Sequence, residues 1–175
     1  ERSAERSRIL RDMHDGVGSH ISTAIRQLQN GKASHDDMLH TLSDALDQLK
    51  LSIDAMHLQP GDVGALLANM RYRLESRFLA CGIELQWDVA ELAPITRLDA
   101  HAMGQLQFML FEAFSNVLQH AHASMLRVVA LPLGPANQGL QLQIIDNGVG
   151  YDSDAPPRNG LRSMQNRAQA IGVVL

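Results

Sequence analysis

One cysteine, Cys81, stands in the whole chain. A single thiol forms no internal disulfide, and no cysteines are spaced as metal ligands. Cys81 itself reads as a small buried hydrophobe at a helix end. Aromatic residues make up only 4%, which leaves few platforms for stacking the bases of a single strand. Positive charge is not in excess. The formal net charge is −4, which excludes nucleic-acid binding driven by bulk charge. No apolar run is long enough to span a bilayer, and no signal peptide opens the sequence. No internal repeat or low-complexity segment occurs. What remains is 175 residues, 45% hydrophobic and 19% charged. That suits one large or two small domains with a packed core.

The chain opens in helical sequence, Glu1-Arg2-Ser3-Ala4-Glu5-Arg6, and is expected to continue an upstream part. Apolar residues fall at Leu10, Met13, Val17, Ile21, Ala24 and Leu28, the spacing of a heptad seam. Gly31 suits a C-terminal cap. Ser34 suits an N-cap for a second helix, with Asp36 and Asp37 in the first turn, where carboxylates favour the helix dipole. The second seam runs Met38, Leu42, Leu46 or Ala45, Leu49, Ile53 and Met56. Two seamed helices make an antiparallel hairpin over residues 1–58. A hairpin alone buries too little to be stable, so a homodimer forming a four-helix bundle is expected.

On the first helix lies Arg11-Asp12-Met13-His14-Asp15-Gly16-Val17-Gly18. Glycine in a helix interior costs about 1 kcal/mol relative to alanine, and two occur here in one run. Gly18 is one turn from His14 and opens room around the imidazole. His14 sits one residue off the seam, on the bundle's flank. An ordinary solvated histidine is the plain alternative for this residue alone.

Gln59-Pro60-Gly61 breaks the second helix and is expected to be a linker, residues 59–61. From 62 to 175 the pattern changes to α/β. A helix is expected from Asp62 to Ala80, with Val63, Leu66, Leu67, Met70, Leu74 and Phe78 inward. A half-buried strand carries Ile83, Leu85, Trp87 and Val89. A long helix from about Asp99 to Ala123 precedes a strand with Leu126, Val128 and Ala130. A turn over 133–139 leads to a strand with Leu140, Leu142 and Ile144, paired as a hairpin. After a Gly, Pro and Asp-rich loop, Gly160 opens a last helix with Leu161, Met164, Ala168 and Ile171 inward.

Three motifs in this second part carry chemistry. Glu112, Asn116 and His120 form a polar stripe on an apolar helix, which must face water, a ligand or a metal. Oxygen donors from Glu and Asn suit Mg²⁺, although a solvated face gives the same pattern. Asp146-Asn147-Gly148-Val149-Gly150 follows. Asp146 shares parity with Leu140, Leu142 and Ile144 and is expected to be a buried carboxylate needing a donor, such as the amine of adenine. An Asn-Gly hairpin turn is the alternative, weakened because no alternating strand comes next. Lastly, Arg158-Asn159-Gly160-Leu161-Arg162 stands at a helix start, where free N–H groups and the dipole favour phosphate.

In this order the three motifs resemble the N, G1 and G2 boxes of the Bergerat-type (GHKL) ATP-binding fold. Histidine kinases, type II topoisomerases, one class of chaperones and MutL mismatch-repair proteins share it. The stretch Glu5 to Gly18 is similar to the phosphoacceptor helix of the sensor histidine kinase subfamily that signals to NarL/LuxR-type response regulators. The resemblance covers nearly the whole chain. It implies a protein histidine kinase, an enzyme of two-component signal transduction with ATP and Mg²⁺ as cofactors. A helical dimerisation and phosphotransfer hairpin would precede an α/β sandwich that binds ATP. By the same resemblance His14 is the nucleophile and Asp15 the adjacent base. Asn116 is a Mg²⁺ ligand, and Glu112 its partner in the metal's hydration shell or in proton handling. Asp146 reads adenine. Gly148, Gly150 and Gly160 frame the ATP lid, with His120 and Leu161 among the nucleotide-binding positions. The phosphoryl group would pass to an aspartate of a receiver domain. Direct nucleic-acid contact is not implied, and the core would be cytoplasmic, tied to a membrane only through an upstream sensor.

Three departures stand out. Where the subfamily often has a glutamine that orients water for dephosphorylation, this chain has Ser19, then His20. Gln119 replaces the basic residue usual before the last N-box position. The lid over 151–159 is short, and the hairpin of strands usual after the last helix is expected to lie outside residues 1–175. A dimeric signalling scaffold with a degenerate nucleotide site is the alternative function. An ATP-driven clamp of the chaperone or mismatch-repair type would leave the His14 helix and its seam without explanation.

Overall fold

The computed structural model describes residues 17–31, 34–134, 139–150 and 159–175. His14, Asp15 and the seam positions Leu10 and Met13 lie outside the described residues. The chain divides into two compact units, Glu1–His57 and Leu58–Leu175.

In the first unit, residues 17–29 form helix α1 and His35–Ala55 form helix α2. Gly31 adopts the left-handed φ of 62° at the turn, as a C-terminal cap requires. Ser34 and Asp37 build a reciprocal capping box. The Asp37 N–H donates to Ser34 Oγ at 3.1 Å, and the Ser34 main-chain N–H donates to Asp37 Oδ2 at 3.1 Å, with the Ser34 hydroxyl also donating there at 2.7 Å. Two otherwise unpaired donors at the helix start are thereby satisfied. The Thr41 hydroxyl donates to Gln27 Oε1 at 3.4 Å, a pairing nearly symmetric about Ser34, as in an antiparallel hairpin. The seam residues Ile21, Leu28, Leu42, Leu46 and Ile53 are exposed, along with Ile25 and Leu39. By contrast, α2 buries Asp44, Asp47, Gln48 and Ser52. Ala45 and Leu51 share that buried side, so it mixes polar and apolar residues, unlike the apolar inward stripe of an ordinary surface helix.

Near the start of the second unit lies Gly61, part of the linker 59–61 expected from the sequence. It is instead built into the unit. Gly61 is buried with φ 80°, and its carbonyl accepts the N–H of Ile95 at 3.0 Å. A Cβ on Gly61 would stand 2.4 Å from the Ile95 carbonyl oxygen, so close backbone packing requires glycine here. Helix α3, Val63–Ala80, is capped by the Asp62 side chain. It buries Val63, Leu66, Leu67, Met70, Leu74 and Phe78, all six expected core positions, whereas Cys81, expected to be buried, is exposed because it caps the helix end beyond the packed face.

Strand β1, Glu84–Val89, leads into helix α4, Ala100–His120, with Asp99 as N-cap. Strands β2, Met125–Leu133, and β3, Gly139–Asp146, follow. The sheet order is β1-β2-β3, with β1 parallel and β3 antiparallel to β2. One face carries Leu126, Val128 and Ala130, all fully buried, with Leu85, Trp87 and Val89 beside them in register. The Phe78 and Phe114 rings meet edge-to-face at 5.9 Å within the core, a favoured aromatic geometry. The opposite face shows Gln86, Gln141, Gln143 and the ion pair of Arg127 with Asp88 at 2.5 Å. Helix α5, Asn159–Ala170, packs Met164 and Ala168 against Met109 of α4. Among the described residues no helix is long and apolar enough to cross a membrane.

Candidate functional site

Helix α4 is the spine of the site. Its apolar faces bury Met103, Met109, Leu110, Phe111, Phe114 and Val117, which fixes the stripe of Glu112, Asn116 and His120 away from the centre. Glu112 and Asn116 are half-buried and His120 is exposed at the last helical position.

The start of α5 lies on Glu112. A Cβ on Gly160 would stand 1.8 Å from Glu112 Oε1, so the carboxylate occupies the space where any other residue would carry a side chain. Two contacts hold α5 at this height. Arg167 donates from Nη1 to Gln105 Oε1 at 2.6 Å, and its guanidinium lies 4.4 Å from the Phe108 ring centroid. Such a cation–π contact contributes about 0.5–1 kcal/mol at exposed sites and more when desolvated. Leu161 turns its side chain into the Met109–Met164 cluster. It therefore serves the core, and only its main chain is at the helix start.

The loop after β3 is fastened to the other end of the stripe. The Val149 N–H donates to the Ala121 carbonyl at 2.8 Å. A Cβ on Gly148 would stand 2.1 Å from that same oxygen, so the backbone approach admits glycine alone. From Glu112 to Ala121 the helix advances about 14 Å, nine residues at about 1.5 Å each. Asn116 lies between the two ends. The motifs read separately in the sequence are thus gathered along one helix face.

One expectation fails. Asp146 has the inward parity, opposite fully buried Leu126, yet it is exposed. It is the last residue of β3, and the chain turns away at Gly148 to reach Ala121. Its carboxylate accepts the Gly148 N–H at 2.9 Å through Oδ1 and remains open to solvent. Parity predicts the direction of a strand residue but not whether anything covers the final position.

Asn147 went unassigned in the sequence, where Asn-Gly reads as turn composition. Its Oδ1 accepts the N–H groups of both Ser124 and Met125 at 2.9 Å, and its Nδ2 donates to Ser124 Oγ at 2.9 Å. Gln119 donates to Ser115 Oγ at 3.2 Å. Among the described residues, no group of three His, Cys, Asp or Glu side chains is placed to hold a metal ion.

No protein-family model matches the chain. Solved structures share its fold. A blue-light activated histidine kinase of Erythrobacter litoralis aligns over 95% of this chain and 57% of its own, with TM-score 0.60 and 18% identity. The histidine kinase domain from that protein aligns over 95% and 86%, with TM-score 0.59 and 14% identity. The fold is that of a histidine kinase's helical domain followed by its catalytic domain. Sequence relatives say the same more closely. The sensor histidine kinase LiaS of Bacillus subtilis is 31% identical over 192 residues, 98% of this chain and 49% of LiaS. The nitrate/nitrite sensor protein NarQ of Escherichia coli is 28% identical over 186 residues, 98% of this chain and 32% of NarQ. Over nearly its whole length the chain is thus related to part of the sensor histidine kinase LiaS and of NarQ, and it has the fold of a histidine kinase domain. It spans about half of LiaS and a third of NarQ.

Proposed function

We propose that this core uses ATP to phosphorylate His14 and passes the phosphoryl group to an aspartate on a receiver domain of a NarL/LuxR-type response regulator. The observation that carries the proposal is the gathering of Glu112, Gly160, Ala121 and the Asp146–Gly150 loop along α4. One end presents a carboxylate at a helix start, and the other an exposed Asp146 at a strand end. A purine amine fits the open Asp146 carboxylate. The N-terminus of α5 fits phosphate oxygens once Glu112 swings aside.

Glu112 and Asn116 supply the oxygen donors that Mg²⁺ prefers, and two protein donors are typical for an ion that keeps several waters and shares substrate phosphates. Bound there, the ion would neutralise charge on the phosphates. In the transfer, a neutral imidazole nitrogen of His14 attacks the γ-phosphorus. The bond to the bridging oxygen breaks, and ADP leaves. Asp15 takes the part of base. The protein's contribution is chiefly positioning, as in phosphoryl transfer generally.

The working form in this proposal is a homodimer. Ile21, Ile25, Leu28, Leu39, Leu42, Leu46 and Ile53 are exposed in one copy. Seven large apolar side chains on one helical hairpin exceed the scatter normal for a monomer surface. A second hairpin laid against them forms the four-helix bundle. We assign residues 1–58 to dimerisation and phosphotransfer and 62–175 to nucleotide binding. Any tie to a membrane runs through sequence upstream.

The test is titration of the purified chain with ADP and Mg²⁺, followed by ATP and a NarL-type receiver domain. Binding weakened at least tenfold by Asn116→Ala and by Asp146→Asn, with phosphoryl transfer to the receiver, supports the proposal. Binding indifferent to both substitutions overturns it.

A further inference from the structure

We infer that Asn147 is a positioning residue that ends strand β3 at Asp146 and thereby sets how the nucleotide base is read. The β2–β3 ladder runs in register as far as Leu126 opposite Asp146. One step further, Met125 and Ser124 still point N–H groups toward the β3 side, while the Ser124 carbonyl accepts from Glu84 on the other. The Asn147 main-chain N–H still donates to the Met125 carbonyl at 3.4 Å, but the Met125 N–H, which continued pairing would send to the Asn147 main-chain carbonyl, is diverted, and the Ser124 N–H falls outside the ladder's alternation. The Asn147 side chain satisfies them instead. Its carbonyl accepts both, and its amide N–H reaches the Ser124 hydroxyl, each at 2.9 Å. Two main-chain donors on one oxygen fix the orientation of the amide, because a nitrogen there could accept neither.

Three consequences follow from ending the strand at this residue. Gly148 is released to pack on Ala121. Val149 donates to the Ala121 carbonyl at 2.8 Å. The Gly148 N–H folds back onto Asp146 Oδ1 at 2.9 Å, which pins the carboxylate at the open end of the sheet. Asn147 touches no reacting group in this account. It acts through Asp146.

This inference rests on the proposed reading of adenine by Asp146. The test uses the whole chain with ADP and inosine diphosphate, whose base lacks the exocyclic amine. The ratio of their dissociation constants does not depend on the fraction of protein folded. Wild type is expected to favour ADP at least tenfold. Asn147→Leu, which removes the acceptor, should bring the ratio below about threefold through loss of ADP affinity. Asn147→Asp should restore most of it, because a carboxylate accepts both N–H groups and the Ser124 hydroxyl can turn to donate. Amide exchange at Ser124 and Met125 should quicken severalfold in Asn147→Leu and not in Asn147→Asp. If wild type discriminates and Asn147→Leu keeps its ratio, or if exchange at both amides is unchanged, the role of Asn147 is overturned while base reading stands. If wild type does not discriminate, base reading by Asp146 fails and this inference falls with it.

Discussion

The carboxylate of Glu112 fills the place where Gly160 would carry a side chain, with Oε1 1.8 Å from that virtual Cβ. The contact joins the polar stripe of α4 to the first turn of α5. It also seats one anion where the nucleotide's phosphates are proposed to bind. Gly160→Ala forces the flexible end of Glu112 to another rotamer while leaving the helix backbone acceptable. The expected outcome is a melting temperature within a few degrees of wild type and ATP-dependent phosphorylation reduced at least tenfold. A double-mutant cycle with Glu112→Gln should be non-additive, as for residues in direct contact. Kinetics and thermal unfolding of the four proteins check this.

The obstacle at Gly148 is main chain, and it cannot swing aside. Gly148→Ala places a methyl 2.1 Å from the Ala121 carbonyl oxygen and breaks the Val149–Ala121 hydrogen bond. The expected loss is about 1–3 kcal/mol in urea unfolding. Gly104, in the interior of α4, has nothing within 4 Å of its virtual Cβ. Gly104→Ala should stabilise by up to about 1 kcal/mol. The opposite signs separate close approach from simple helix propensity.

Burial of the exposed leucines of α2 against a second copy predicts a concentration-dependent dimer. Leu42→Glu with Leu46→Glu should halve the mass seen by sedimentation at micromolar concentration. Leu131→Glu, on the exposed end of β2, should leave it unchanged.

The capping box of α2 carries a pH dependence with a definite sign. The Ser34 hydroxyl, and then its backbone N–H, donate to Asp37 and hold its carboxyl below the ordinary value of 3.8. A depressed folded-state pKa stabilises at pH above that ordinary value, and the contribution disappears as pH falls through the folded value. Helicity of α2 should therefore decline on acidification below about pH 4. Asp37→Asn should remove that part of the decline. Circular dichroism and NMR titration of the Asp37 carboxyl measure it.

Much of the fold was legible because its signals are local and periodic. The six inward residues of α3 repeat at helical spacing, and Leu126, Val128 and Ala130 alternate as a half-covered strand must. Ser34 announces its helix by chemistry that acts within three residues, while Asp62 and Asp99, read only as the first residues of theirs, are N-caps of the same kind. The polar stripe on α4 was legible for the same reason. What escaped the sequence depends on partners distant in the chain. Gly61 looked like part of a linker, and its packing depends on Ile95, 34 residues later. Asp146 looked buried because alternation gives direction and says nothing of cover. Asn147 looked like turn composition because its partners, Ser124 and Met125, belong to another strand.

The central claim is that a triphosphate held on α4 and the Asp146 loop gives its terminal phosphoryl group to His14. It is tested most directly with γ-labelled ATP and Mg²⁺ on the purified chain. The account predicts acid-labile, base-stable label on wild type, no label on His14→Gln, and label reduced at least tenfold on Asp146→Asn. Undiminished label on His14→Gln, or wild type that binds ATP and stays unlabelled, would contradict it.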